Sequence, residues 1–249
     1  MKDQEKNNGK ATMRSEEIPN HPAKYSPQII ELIRDRLIPD HILGLGDNPF
    51  VLDPFGGVGG VFAMTDVHPV IVAAAVEIQR KWAISDGRIA WGNFLNMTWR
   101  EVDAVITSPA YGNRMADHHE AADDSRRITY RHSYGEPLSD GNAGKIQWGD
   151  SYRTFHVVAW DRVHAALRVG GIFILNVSDH IRGGQRQRVT AWHKRALTDL
   201  GFTFLESHSV KTPRMGFGQN SGKRVDSESV LVFRKDGRRG FYAPAEIEG

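Results

Sequence analysis

An apolar run that empties into a cluster of glycines narrows the fold of this chain more than any other stretch. Pro49 to Phe55 (PFVLDPF) reads as a short buried strand. It leads straight into Gly56-Gly57-Val58-Gly59-Gly60 and a short helix through Met64. Glycine has no Cβ and accepts positive φ, so a strand, a glycine turn and a helix in that order let backbone approach a nucleotide-like ligand closely. A second apolar run, Val70 to Val76, reads as the next strand, and Glu77 stands at its end. A carboxylate about twenty residues beyond such a turn is placed to accept both hydroxyls of a ribose.

The alternation of strand and helix continues on both sides of this unit. Ser26 followed by Pro27 reads as an N-cap and a first-turn proline. The helix they open runs through Ile29, Ile30, Leu32, Ile33 and Leu37 and is expected to end near Pro39. Gln79 to Ser85 reads as a short helix. Arg88 to Asn93, Val102 to Ile106, Ile172 to Val177, Phe202 to Leu205 and Ser229 to Phe233 read as further strands. Ser151 to Arg168 and Val189 to Leu200 carry helical spacing, closed by Gly170-Gly171 and by Gly201. The expected fold is α/β: one domain over residues 21–240, with seven strands and helices on both faces. Residues 1–20 read as a polar, mobile N-terminus and 241–249 as a tail. Residues 112–150 break the rhythm after the fourth strand, and so long a stretch with little regular pattern reads as a functional insertion.

Composition removes several classes of function. No apolar run reaches the ~20 residues that span a bilayer, and the polar N-terminus lacks a signal-peptide core, so a cytoplasmic protein is expected. The chain has no cysteine, which excludes disulfides, thiolate metal sites and a cysteine nucleophile. Asp117-His118-His119-Glu120 lacks zinc-type spacing, so no metal is expected. The net charge is +2 but unevenly spread: Ser178 to Gly240 holds thirteen Lys/Arg against six Asp/Glu. A basic C-terminal third, with the long connection Lys211 to Asp226 inside it, suggests a face for a polyanion.

The fourth strand runs into Thr107-Ser108-Pro109-Ala110-Tyr111. A hydroxyl, a rigid proline turn and an aromatic ring at the carboxyl end of a buried strand could hold a flat, amino-bearing ring. By itself the stretch is equally a turn, and its neighbours give it meaning.

Taken together, the parts resemble the S-adenosylmethionine-dependent DNA amino-methyltransferases, which methylate N4 of cytosine or N6 of adenine. DPFGGVGG at Asp53–Gly60 is similar to their cofactor motif, VEIQRKWA at Val76–Ala83 to the acidic ribose segment, and WGNFL at Trp91–Leu95 to the adenine contact. TSPAYGNR at Thr107–Arg114 is similar to the catalytic motif, and HPAKYSP at His21–Pro27 to the segment that closes over the methionine end. QWGDSYR and LNVSDHIRGG are similar to stretches of small phage and actinobacterial methylases. Two positions depart from the pattern: Ala110 replaces a second proline, and Asn93 replaces an aspartate.

The resemblance implies a Rossmann-like methyltransferase sheet and S-adenosylmethionine as cofactor. It implies that Lys24 or Ser26 meets the cofactor carboxylate and that Asp53 orients the amino-acid end. Phe55, Gly57 and Gly59 would line the turn, Glu77 would hold the ribose, and Asn93 and Phe94 would flank the adenine. Ser108 and the Pro109 carbonyl would accept the amino hydrogens of the base, and Tyr111 would stack on it. The implied partner is double-stranded DNA with a flipped base, contacted by Asn113 and Arg114 and by Lys211, Arg214, Lys223 and Arg224. Serine at the first catalytic position favours cytosine N4. Adenine N6 is the alternative, and a non-catalytic cofactor- and DNA-binding relative is the other. Methylation at carbon 5 of cytosine needs a thiolate, which this chain lacks. The sequence carries no sign of a particular oligomeric state.

Overall fold

The computed structural model describes residues 25–57, 59–65, 68–73, 89–99, 101–112, 138, 141–212 and 225–242. The expected α/β architecture is present. Its main sheet is built from β1 (Phe50–Asp53), β2 (His68–Ala73), β3 (Ile89–Trp91), β4 (Val102–Thr107), β5 (Leu167–Val177), β8 (Phe202–Lys211) and β9 (Ser227–Lys235). The strands lie in the order β3-β2-β1-β4-β5-β9-β8. The first five run parallel, while β9 inserts antiparallel between β5 and β8. The order reverses between β1 and β4, and in open α/β sheets ligands gather outside the carboxyl ends of the strands at such a switch point.

Each face of the sheet carries its own core. On one, Val51, Ala104, Ile106, Ile174 and Val232 pack against the first helix through Ile29, Ile33, Leu37 and Ile42. On the other, Leu52, Val105, Phe173, Leu175 and Phe233 meet α3 (Asp150–Ala166) and α4 (Val189–Asp199) through Trp160, Val163 and Leu197. Parallel strands covered on both faces need continuous apolar runs, which is why VIT and IFIL are legible as strands.

Several boundaries differ from the sequence reading. The first helix does not end near Pro39. It runs as α1 (Pro27–Leu32), a π-helical stretch (Ile33–Leu37) and α2 (Ile38–His41). Pro39 has no N–H to give and would crowd the carbonyl four residues back. The wider π turn just before it, where the Ile38 N–H reaches the Ile33 carbonyl, accommodates it. Gly170-Gly171 does not stop the helix either. α3 ends at Ala166, and the glycines lie within β5, where pairing with β4 jumps from Leu167 to Ile172. Last, Phe202–Leu205 is only the first part of β8, and Ser229–Phe233 is the middle of β9. β8 and β9 stay paired out to Lys211 opposite Ser227.

A hairpin that the sequence reading omits, β6 (His180–Arg182) with β7 (Gln185–Gln187), follows β5. Its turn is Gly183-Gly184, both at positive φ, the two-residue glycine loop that suits a hairpin. Asp179, just before it, accepts from the Thr190 N–H at 2.8 Å and so serves the first turn of α4.

Candidate active site

The carboxyl ends of β1 and β4 meet side by side. Asp53 closes β1 and is 1% exposed; Thr107 closes β4 and is fully buried. The Thr107 hydroxyl donates to Asp53 Oδ1 at 2.6 Å, and the Phe55 N–H donates to the same oxygen at 3.1 Å. Burial nevertheless raises the Asp53 carboxyl from 3.8 to about 7, against the lowering effect of those two hydrogen bonds. A buried acid poised near neutrality at a switch point marks a functional-site candidate.

The glycine turn follows. Gly57 and Gly59 have φ of 50° and 77°, the left-handed region that glycine enters without strain. The ring of Tyr25 packs where a side chain on Gly60 would stand: a Cβ there would lie 2.5 Å from a ring carbon. The Tyr25 hydroxyl is buried and has no hydrogen-bond partner among the described residues. Burial first, then the charge of Asp53, makes it harder to ionise, and Tyr111 and Glu228 act on it in the same sense. Tyr25 thus sits among the site's acidic and phenolic groups with an open polar atom. Sequence reasoning placed HPAKYSP near the cofactor but passed over its tyrosine.

Ser108, Pro109 and Tyr111 continue from β4. Pro109 is buried, while Ser108 and Tyr111 are half-buried. Ser108 Oγ and Tyr111 Oη are 2.8 Å apart. The Tyr111 hydroxyl donates to Glu228 Oε2 at 3.0 Å. Asn176 Nδ2 donates to Tyr111 Oη and to Glu228 Oε2, each at 2.9 Å, and lies 3.4 Å from Ser108 Oγ. Asn176 comes from β5 and Glu228 from β9, and sequence reasoning missed both. The available signals were faint: an asparagine, 1% exposed, interrupting the apolar run Ile172 to Val177, and a glutamate preceding the run Ser229 to Phe233.

Other expected residues have plainer surroundings. Ser26 Oγ caps α1 by accepting the Ile29 N–H at 3.4 Å. Phe55 stacks on His156 at 5.7 Å and meets Trp160 edge-on. Asn93 Oδ1 accepts the Leu95 N–H at 3.0 Å and so caps the short 3-10 turn Phe94–Asn96. Phe94 is buried in the core beside Trp99. Lys211 is exposed at the end of β8, opposite Ser227 and next to the register position of Glu228. Lys24, Glu77, Asn113, Arg114, Arg214, Lys223, Arg224 and the Asp117–Glu120 stretch lie outside the described residues.

Among the described residues no cluster could hold a metal ion, and no helix is long and apolar enough to cross a membrane. No family model matches the sequence, and no curated protein does. Several solved structures are similar in outline. An S-adenosylmethionine-dependent methyltransferase from Clostridium acetobutylicum matches with a TM-score of 0.49 and 10% identity, over 84% of this chain and 92% of its own. The N-methyltransferase NodS from Bradyrhizobium japonicum matches at 0.43 and 14%, over 83% and 96%. A 16S rRNA methyltransferase from T. thermophilus, in complex with AdoMet and guanosine, matches at 0.47 and 14%; 91% of this chain covers 43% of that one.

Proposed function

We propose that this chain is an S-adenosylmethionine-dependent methyltransferase acting on the exocyclic amino group of a base flipped out of DNA, with cytosine N4 favoured. The observation that carries the proposal is the Thr107–Asp53 hydrogen bond at 2.6 Å. It joins the strand that opens the glycine turn to the strand that presents Ser108 and Pro109. The two motifs therefore share one polar floor at the switch point of the sheet.

The residues there suit the cofactor. Asp53 supplies a carboxylate for an amino-acid end, directly or by way of the loop. Gly57 and Gly59 give open backbone, and the buried Tyr25 hydroxyl, without a hydrogen-bond partner among the described residues, offers a polar contact. Ser26 follows Tyr25, Phe55 follows β1, Asn93 and Phe94 follow β3, and Lys24 and Glu77 complete the proposed set. The cofactor supplies a methyl group on a sulfonium, whose sulfur is a good leaving group. The protein therefore needs to position and polarise rather than form a covalent intermediate.

An aryl amino nitrogen is a poor nucleophile because its lone pair is delocalised into the ring. Ser108 Oγ and the Pro109 carbonyl hold its two hydrogens and so favour a pyramidal nitrogen. Pro109 has a fixed φ, which keeps its carbonyl aimed. Tyr111 offers the base a ring face. A base inside a duplex cannot reach such a pocket, and extruding it costs roughly a few kcal/mol. Lys211, exposed at the end of β8, and Arg214, Lys223 and Arg224, which follow it in sequence, are the proposed phosphate contacts, together with Asn113 and Arg114, which follow the catalytic motif in sequence.

The test is transfer of a radiolabelled methyl group to plasmid DNA, followed by mass spectrometry of the nucleosides. Labelled N4-methylcytosine is the expected product. N6-methyladenine as the only product would overturn the cytosine assignment while leaving the class intact. Tight cofactor binding with no transfer to any DNA or RNA would identify a non-catalytic relative.

A further inference from the structure

Ser108 and Tyr111 from the loop after β4, Asn176 from β5 and Glu228 from β9 form one hydrogen-bonded cluster, and its hydrogen bonds have a direction. A phenol has one proton, and Tyr111 gives its proton to Glu228 Oε2. The contact between Ser108 Oγ and Tyr111 Oη must then run the other way, with Ser108 donating and Tyr111 accepting. Asn176 Nδ2 reinforces this polarity by donating to Tyr111 Oη and to Glu228 Oε2. A carboxylate accepts only, so it orients the chain behind it. With its one proton committed to Tyr111, Ser108 turns only lone pairs toward the space beyond β4. That is the state needed to accept an amino hydrogen.

We propose that Glu228, acting through Tyr111, is the positioning residue that holds Ser108 as an acceptor and is the final acceptor of the proton that methyl transfer releases. The inference rests on the amino-methyltransferase reading. It adds a residue outside the glycine turn and the TSPAY stretch.

The step balances without a further reactant. The amino nitrogen uses its lone pair to form a bond to the methyl carbon. The carbon–sulfur bond breaks, and its electron pair stays on sulfur. The nitrogen, now positively charged, gives a proton to Ser108 Oγ. Ser108 passes its own proton to Tyr111 Oη, and Tyr111 passes its proton to the Glu228 carboxylate. The base ends neutral and methylated, and Glu228 ends protonated until solvent takes the proton. The two transfers within the protein, Ser108 to Tyr111 and Tyr111 to Glu228, lie within hydrogen-bond reach, at 2.8 and 3.0 Å.

Glu228→Gln keeps the shape and removes the ability to take a proton. In single-turnover and steady-state assays with labelled S-adenosylmethionine and plasmid DNA, it should lower kcat about 100-fold. KM for DNA and cofactor affinity should stay within about threefold, because neither ligand is held by Glu228. Glu228→Asp should recover part of the rate. Tyr111→Phe combined with Glu228→Gln should be no slower than the worse single variant, since both break one chain. A readout without substrate is the ¹³Cζ resonance of Tyr111 in tyrosine-labelled protein, which should move in Glu228→Gln. Wild-type kcat in Glu228→Gln, multiplying losses in the double variant, or an unmoved Tyr111 resonance would each overturn the proposal while wild-type turnover leaves the methyltransferase reading standing. Absence of transfer by the wild-type protein would remove that reading and this inference with it.

Discussion

The Thr107 hydroxyl and the Asp53 carboxylate share a hydrogen bond of 2.6 Å in a place where neither reaches solvent. β1 and β4 pair in parallel through Val51–Ala104 and Leu52–Val105, and this side-chain bond joins the strands past the backbone ladder, one residue further along β1 and two further along β4. Thr107→Val keeps the shape and deletes the donor. It should cost about 1–3 kcal/mol in urea unfolding, because a buried acceptor loses a partner. Thr107→Ser, which restores the hydroxyl, should recover most of that.

Asp53 makes stability fall as pH rises from the ordinary carboxyl range toward neutrality. Its carboxyl is raised by burial from 3.8 to about 7, so ionising it is harder folded than unfolded. Its contribution is fully present below the unfolded value and is lost as pH rises through about 7. The loss is of order 4 kcal/mol at most. Asp53→Asn should flatten this limb in melting curves taken from about pH 4 to pH 8. If Asp53 meets the ammonium of the cofactor, binding by titration calorimetry should tighten over the same rise in pH in the wild type and lose that dependence in Asp53→Asn.

His156 works in the opposite direction. It is fully buried beneath Tyr152, with ring centroids 3.9 Å apart, and its Nδ1–H donates to the Tyr152 carbonyl. Burial pushes it down to about 3 from 6.5, the backbone hydrogen bond opposing. A depressed histidine lends stability above its unfolded value and loses it as pH falls. His156→Phe should therefore lessen acid destabilisation between about pH 6.5 and pH 4, by about 3 kcal/mol at the lower end. Denaturant unfolding at the two pH values measures the difference.

Ser108→Ala and Tyr111→Phe separate chemistry from binding. Each removes a hydroxyl from the cluster at β4 and leaves Asp53 and the glycine turn intact. Loss of a hydrogen bond worth about 1–3 kcal/mol corresponds to a rate lower by roughly 10- to 100-fold. Cofactor affinity, followed by tryptophan fluorescence, should change little.

Much of the frame was legible because parallel strands covered on both faces must be apolar throughout, and runs such as Val102 to Ile106 and Ile172 to Val177 meet that demand. The ends of β8 and β9 were not. An antiparallel pair with one wet side alternates, and Ser207, Ser209 and Lys211 look like loop when read alone. Pro39 read as a stop because proline forbids an α-helical bond; the backbone took a π turn instead, which no local pattern announces. In the site, Asp53, Ser108 and Tyr111 were visible through motif spacing. Asn176 and Glu228 were hidden because they lie 65 and 117 residues away from Tyr111 in sequence. Only the strand order β4-β5-β9 brings them to it.

The central claim is methyl transfer to an exocyclic amino group in DNA, and one measurement meets it directly. Purified protein is given methyl-labelled S-adenosylmethionine and unmethylated plasmid, and the digested nucleosides are resolved by mass spectrometry. Label in N4-methylcytosine, appearing roughly 10- to 100-fold more slowly in Ser108→Ala, is the expected result. Label in no nucleoside, at a protein concentration above that of the DNA sites and with the cofactor bound, would contradict it.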